Sequence, residues 1–210
     1  MASLGGVLGE GGAVSAPPPP APLEPGLAPV TLVLGGARSG KSRHAEAMVE
    51  SQPGPCVYLA TAQAGDREMA ARIAAHRARR GGRWSTVEEP LDVVEALSGA
   101  CGPDRAVLVD CLTLWLSNLL GAERPVAAEC GRLLTALPAL AGPVVFVSNE
   151  VGQGVVPDNA LARAFVDHAG RLHQDLAAAA QRVVFMTAGL PHELKSISEI
   201  QSPVLKLQRS

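Results

Sequence analysis

Short apolar runs alternate with stretches of helical periodicity along most of this chain. The runs at 30–34, 56–60, 106–110, 144–148 and 183–187 are rich in Val and Leu and show little polar alternation. Strands covered on both faces read this way, whereas a strand with one wet face alternates. Between them, 41–50, 67–80, 91–99, 112–120, 126–139 and 159–180 carry apolar residues at helical spacing. Strands separated by helices predict an α/β fold, a mainly parallel sheet with helices on both faces. In such a sheet ligands gather at the carboxyl ends of the strands. The residues just past the first four runs are therefore the first place to look for chemistry.

The first run opens into GGARSGKS, comprising Gly35, Gly36, Ala37, Arg38, Ser39, Gly40, Lys41 and Ser42. Every fixed position of the phosphate-binding loop G-x-x-x-x-G-K-[ST] is filled, in the strand–loop–helix context the motif requires. Its glycines let successive N–H groups turn towards an anion, and the helix that follows adds the positive end of its dipole. Lys41 is placed to reach the β- and γ-phosphates, and the Ser42 hydroxyl to ligate Mg²⁺. The second run is followed by Thr61, Ala62 and Gln63, the third ends in Asp110, and the fourth is followed by Asn149 and Glu150.

Asp110 has two readings. A carboxylate ending an apolar strand in a phosphate-loop chain is the usual second partner of Mg²⁺, directly or through water. Asp is also a good N-cap for the helix that starts beside it. The stretch EMAARIAAHRARR puts Met69, Arg72, Ile73, His76 and Arg80 along one side of a helix, with Arg77, Arg79 and Arg83 nearby. His76 among arginines stays largely neutral, hence available as a nucleophile, and the arginines can hold a triphosphate. Composition alone favours the plainer reading, a solvated basic helix carrying a surface histidine. Glu88 and Glu89, in WSTVEEP, read as acidic loop residues, and 147–159 as a Gly-rich loop after a strand that suits a substrate.

Composition narrows the setting. Apolar residues make up 47% of the 210 but aromatics only 3%, so the core must be aliphatic. The net charge of −2 exerts no general pull on nucleic acid or anionic membrane. Cys56, Cys101, Cys111 and Cys130 have no C-x-x-C spacing and read as reduced thiols of a cytoplasmic protein. No apolar run is long enough to span a bilayer, and the N-terminus lacks a secretory pattern. Residues 1–29, with four prolines in a row, are expected as a disordered extension, 30–191 as the folded domain and 192–210 as a mobile tail.

Taken together, GGARSGKSRHAE, ATAQ, EMAARIAAHR, WSTVEEP, VDCLTLWLSN and NEVGQGVVPDN with ARAFVDHAGRLHQ resemble one family. It is the bifunctional adenosylcobinamide kinase / adenosylcobinamide-phosphate guanylyltransferase of cobalamin biosynthesis, and the resemblance covers roughly residues 31–190. It implies a RecA-like phosphate-loop fold. It implies nucleotide contacts at Gly35 to Ser42, at Thr61, Ala62 and Gln63, at Arg77, Ala78, Arg79 and Arg80, at Glu88 and at Asp110. It places the family's GMP–histidine intermediate on His76, rather than on His44 beside the loop, and so reverses the plainer reading of that helix. ATP and GTP are then substrates, Mg²⁺ is held at Ser42 and Asp110, and Lys41 and His76 are catalytic. The acceptor is a corrinoid, first adenosylcobinamide and then its phosphate. The resemblance also implies a homo-oligomer, commonly a trimer. The chain departs from the pattern in residues 1–29, in the tail after Pro191, and at His173, where the family commonly has Asn.

Two other readings compete. One is a single-activity enzyme, either a phosphate-loop small-molecule kinase or a guanylyltransferase alone. The other is a nucleotide-switched binding protein without chemistry on a small substrate.

Overall fold

A computed structural model describes residues 27–62 and 80–196 of the chain. The five apolar runs form five strands: β1 (Val30–Gly35), β2 (Cys56–Ala60), β4 (Ala106–Asp110), β5 (Val144–Asn149) and β6 (Arg182–Thr187). Two further strands complete a seven-stranded sheet, β3 (Trp84–Glu88) and β7 (Leu190–Lys195). The order is β3-β2-β4-β5-β1-β6-β7, parallel throughout except for β7. One strand, β5, separates the phosphate-loop strand β1 from β4, which ends in Asp110. This is the RecA-like arrangement the resemblance implies.

The pleat sends alternate residues of each strand to opposite faces. Leu32, Leu59, Val107, Val109 and Phe146 pack under α2 (Val93–Ala100), α3 (Leu112–Gly121), α4 (Val126–Ala136) and α5 (Ala160–Ala179). Val33, Tyr58, Leu108, Val145 and Val184 pack against α1 (Lys41–Glu50) on the other face. The core is aliphatic apart from a few aromatics such as Phe146 and Trp115. Trp115 is fully buried and satisfies its indole by donating to Leu91 O at 2.8 Å.

The structure differs from the sequence expectations mainly at the sheet edges. WSTVEEP, expected as loop, contains β3, whose residues are exposed or half-buried. Of the tail expected from residue 192, residues 192–195 lie in β7, an exposed edge strand that tolerates Pro191. The helix expected over 126–139 ends at Ala136 and tightens into one 3₁₀ turn, Leu137–Ala139. The helix expected over 67–80 lies almost wholly outside the described residues, as do the ends 1–26 and 197–210.

Candidate active site

The loop after β1 owes its shape to two glycines. Gly35 has φ 149° and Gly40 φ 96°, both at positive angles that side chains rarely adopt. At Gly35 a Cβ would stand 2.4 Å from Met186 O and 2.8 Å from Ser39 Oγ. Gly35→Ala is therefore expected to push the loop out of register. We expect nucleotide affinity to fall at least about tenfold, a loss of about 1.4 kcal/mol. Titration with a fluorescent GTP analogue measures this, and unchanged affinity would show that the close approach at Gly35 is dispensable.

Gly36, Ala37 and Arg38 are exposed, while Ser39 and Lys41 are buried. The Lys41 ammonium lies within the loop, donating to Gly36 O at 2.7 Å. Burial lowers its pKa, and the nearby Cys111 and Asp110 work in the opposite direction. One turn into the site, Ser42 Oγ donates to Asp110 Oδ2 at 2.9 Å. Tyr58 OH donates to the same oxygen, also at 2.9 Å. Burial, and then the Asp110 charge and hydrogen bond, push the Tyr58 phenol far above its ordinary range, so it stays a neutral donor. Asp110 does not cap α3: the N-cap is Cys111, with no side-chain cap bond. Its carboxylate faces Ser42 instead.

A hydroxyl and a carboxylate converging at the foot of a phosphate loop are hard oxygen donors of the kind Mg²⁺ takes. Among the described residues no group of three or more His, Cys, Asp or Glu is arranged to hold a metal. Mg²⁺ is commonly bound through one or two protein oxygens, with substrate phosphates supplying others.

Thr61 follows β2 and is fully buried. Its Oγ1 donates to Cys111 O and accepts from Cys111 N, both at 2.8 Å, and its own N donates to Asp110 O. Its side chain braces the turn that carries Asp110. Asn118 adds to this frame by donating to Thr61 O at 2.8 Å. Ala62 stands half-buried beyond it. Glu88 ends β3 beside Ala60, whose other neighbour in the sheet is Asp110. The Arg80 guanidinium lies over the Tyr58 ring, 3.5 Å from its centroid, and so connects through Tyr58 to Asp110. Gln63, His76, Arg77, Ala78 and Arg79 lie outside the described residues.

His44 is half-buried and faces Arg182 and Glu193; burial, then Arg182, lower its pKa. Sequence reasoning missed Tyr58, the chain's single tyrosine, set in an otherwise aliphatic strand two residues before its end. That isolation was the available signal.

A second set of polar residues gathers after β5. Glu150 N donates to Gly35 O at 3.0 Å, which locks this strand end to the phosphate loop. Glu150, Gln153, Gly36, Arg38, Ser39 and Met186 help to line a cleft of about 500 Å³. Behind Glu150, Ser148 Oγ and His173 Nε2 lie 2.7 Å apart in the interior, and burial lowers the His173 pKa. His173, the departure from the family pattern, is thus a core residue bonded to β5.

The model of the family "Cobinamide kinase / cobinamide phosphate guanyltransferase" matches residues 31–194. The chain is 52% identical to the bifunctional adenosylcobalamin biosynthesis protein CobP of Pseudomonas aeruginosa over 166 residues, covering 78% of this chain and 96% of that one. It is 41% identical to the bifunctional adenosylcobalamin biosynthesis protein CobU of Escherichia coli over 179 residues, covering 78% and 98%. Among solved structures, the RadB recombinase matches at 19% identity and a TM-score of 0.48, covering 76% of each chain.

Proposed function

Because this chain belongs to the cobinamide kinase / cobinamide phosphate guanyltransferase family, we propose that it performs both reactions in turn. In the first, a nucleoside triphosphate gives its γ-phosphoryl group to the aminopropanol hydroxyl of adenosylcobinamide. In the second, His76 attacks the α-phosphorus of GTP, pyrophosphate leaves, and GMP passes from the histidine to adenosylcobinamide phosphate. The product is adenosylcobinamide-GDP.

The observation that carries the kinase half is the convergence of Lys41, Ser42 and Asp110 at the carboxyl end of the sheet. The loop N–H groups and Lys41 hold the phosphates and offset the charge that spreads over the transferred group. Ser42 and Asp110 would hold Mg²⁺, with Tyr58 orienting the carboxylate through its hydroxyl bond. When bound, the cation neutralises phosphate charge. For the guanylyl half, Arg80 and Glu88 stand on the β2–β3 side of Asp110, where the basic stretch preceding Arg80 rejoins the described structure. Covalent catalysis there divides one displacement between two anions into two easier steps.

The remaining parts of the reading follow from the family. The enzyme works in the cytoplasm as a homotrimer whose neighbours complete the site. Val155 and Val156, 96% and 77% exposed beyond the cleft, are apolar surface of the kind such a contact covers. Among the described residues no helix is long and apolar enough to cross a membrane.

One homogeneous preparation given adenosylcobinamide, ATP, GTP and Mg²⁺ tests the reading by chromatography of the corrinoids. Adenosylcobinamide phosphate should appear first and adenosylcobinamide-GDP after it. A reaction that stops at the phosphate would make the chain a single-activity kinase. Nucleotide-dependent partner binding with no corrinoid product would make it a switch.

A further inference from the structure

Resting on the kinase reading above, we propose that Glu150 is the general base of phosphoryl transfer, accepting the proton of the corrinoid hydroxyl as that oxygen attacks the γ-phosphorus. Of the described residues that line the cleft beside Gly36 to Ser39, Glu150 alone carries a carboxylate. Its backbone is fixed to the phosphate loop through Gly35 O, so its reach towards the γ-phosphate end is set by the fold. Asp110 is committed elsewhere, since its Oδ2 accepts from both Ser42 and Tyr58.

The surroundings of Glu150 hold its carboxylate in place at the cleft. Oε1 accepts from Gly152 N at 2.6 Å, which fixes the side chain without a cation. Oε2 lies 4.0 Å from His173 Nδ1. Burial lowers the His173 pKa, and with Nε2 2.7 Å from Ser148 Oγ its Nδ1 edge is the one turned to Glu150. At 4.0 Å the ring is a neighbour of the carboxylate and not a hydrogen-bonded partner. At 21% exposure the Glu150 side chain is shielded yet still reachable from the cleft.

The hydroxyl proton moves to Glu150, the O–P bond forms, and the bond from the γ-phosphorus to the β–γ bridging oxygen breaks. The nucleoside diphosphate leaves with that electron pair, and the proton passes from Glu150 to water. A positioned base of this kind contributes about 10²–10⁴-fold.

Glu150→Gln keeps the oxygen that accepts from Gly152 N and removes only the basicity. We expect kcat for adenosylcobinamide phosphorylation to fall about 10²-fold or more, with KM for ATP and the Mg²⁺ requirement essentially unchanged. Guanylyl transfer to supplied adenosylcobinamide phosphate should stay close to wild type, which also shows that the variant is folded. A kinase kcat near wild type would overturn the proposal. So would equal loss in both half-reactions, or a raised Mg²⁺ requirement, which would make Glu150 a metal ligand. Wild-type protein that leaves adenosylcobinamide unphosphorylated would instead remove the kinase reading on which the proposal rests.

Discussion

Lys41→Ala lowers the rate of γ-phosphoryl transfer to adenosylcobinamide by about 10²–10³-fold, the effect of deleting one preorganised charge donor. The expectation follows from where Nζ sits. It lies inside the loop against Gly36 O, with the residue buried. A cation in such a place acts through a medium far less screening than water. Its interaction strengthens as charge gathers on the transferred group and the leaving oxygen, so the loss should fall mainly on kcat. Arginine should not rescue it, because a planar fork cannot occupy the space of a compact ammonium that already bonds to the loop. Transfer of label from γ-labelled ATP to the corrinoid measures the effect. A Lys41→Ala enzyme within tenfold of wild type would mean the loop only binds and does not activate.

His76→Asn should abolish covalent labelling of the protein by α-labelled GTP while leaving phosphorylation of adenosylcobinamide intact. Asparagine keeps a side chain of moderate size but has no nitrogen lone pair that can attack phosphorus. The reaction would then stop at adenosylcobinamide phosphate. Separation of the two half-reactions is the informative result, because a general collapse of the site would take both. Acid-labile label that survives in this variant would move the intermediate to another residue.

Much of this molecule could be read from sequence because its inner strands are buried on both faces. Runs such as VTLVL and AVLVD have no wet side, so they stand out as uninterrupted apolar stretches. The two edge strands lack that property. In β3 no residue is fully buried, and LPHELK in β7 is exposed or half-buried throughout, so neither shows an apolar run.

At the site, Gly35 to Ser42 were legible because a phosphate loop is local: its geometry depends on consecutive residues. The links from Ser42 to Asp110 and from Tyr58 to Asp110 span 68 and 52 positions, and only the strand order brings them together. Thr61 stands just past a strand, where a polar residue reads as a ligand contact, and its hydroxyl bonds the Cys111 backbone 50 positions away, a link only the fold reveals. His173, conspicuous as a departure from the family pattern, turned out to be a buried partner of Ser148.

We propose that one chain joins a phosphate-loop kinase to a histidine that carries GMP, and wild-type protein incubated with α-labelled GTP, then digested and mapped by mass spectrometry, tests this. The predicted result is a single GMP adduct on His76, discharged when adenosylcobinamide phosphate is added. An adduct on His44 or any other residue, or guanylylated corrinoid formed with no protein adduct at any stage, would contradict it.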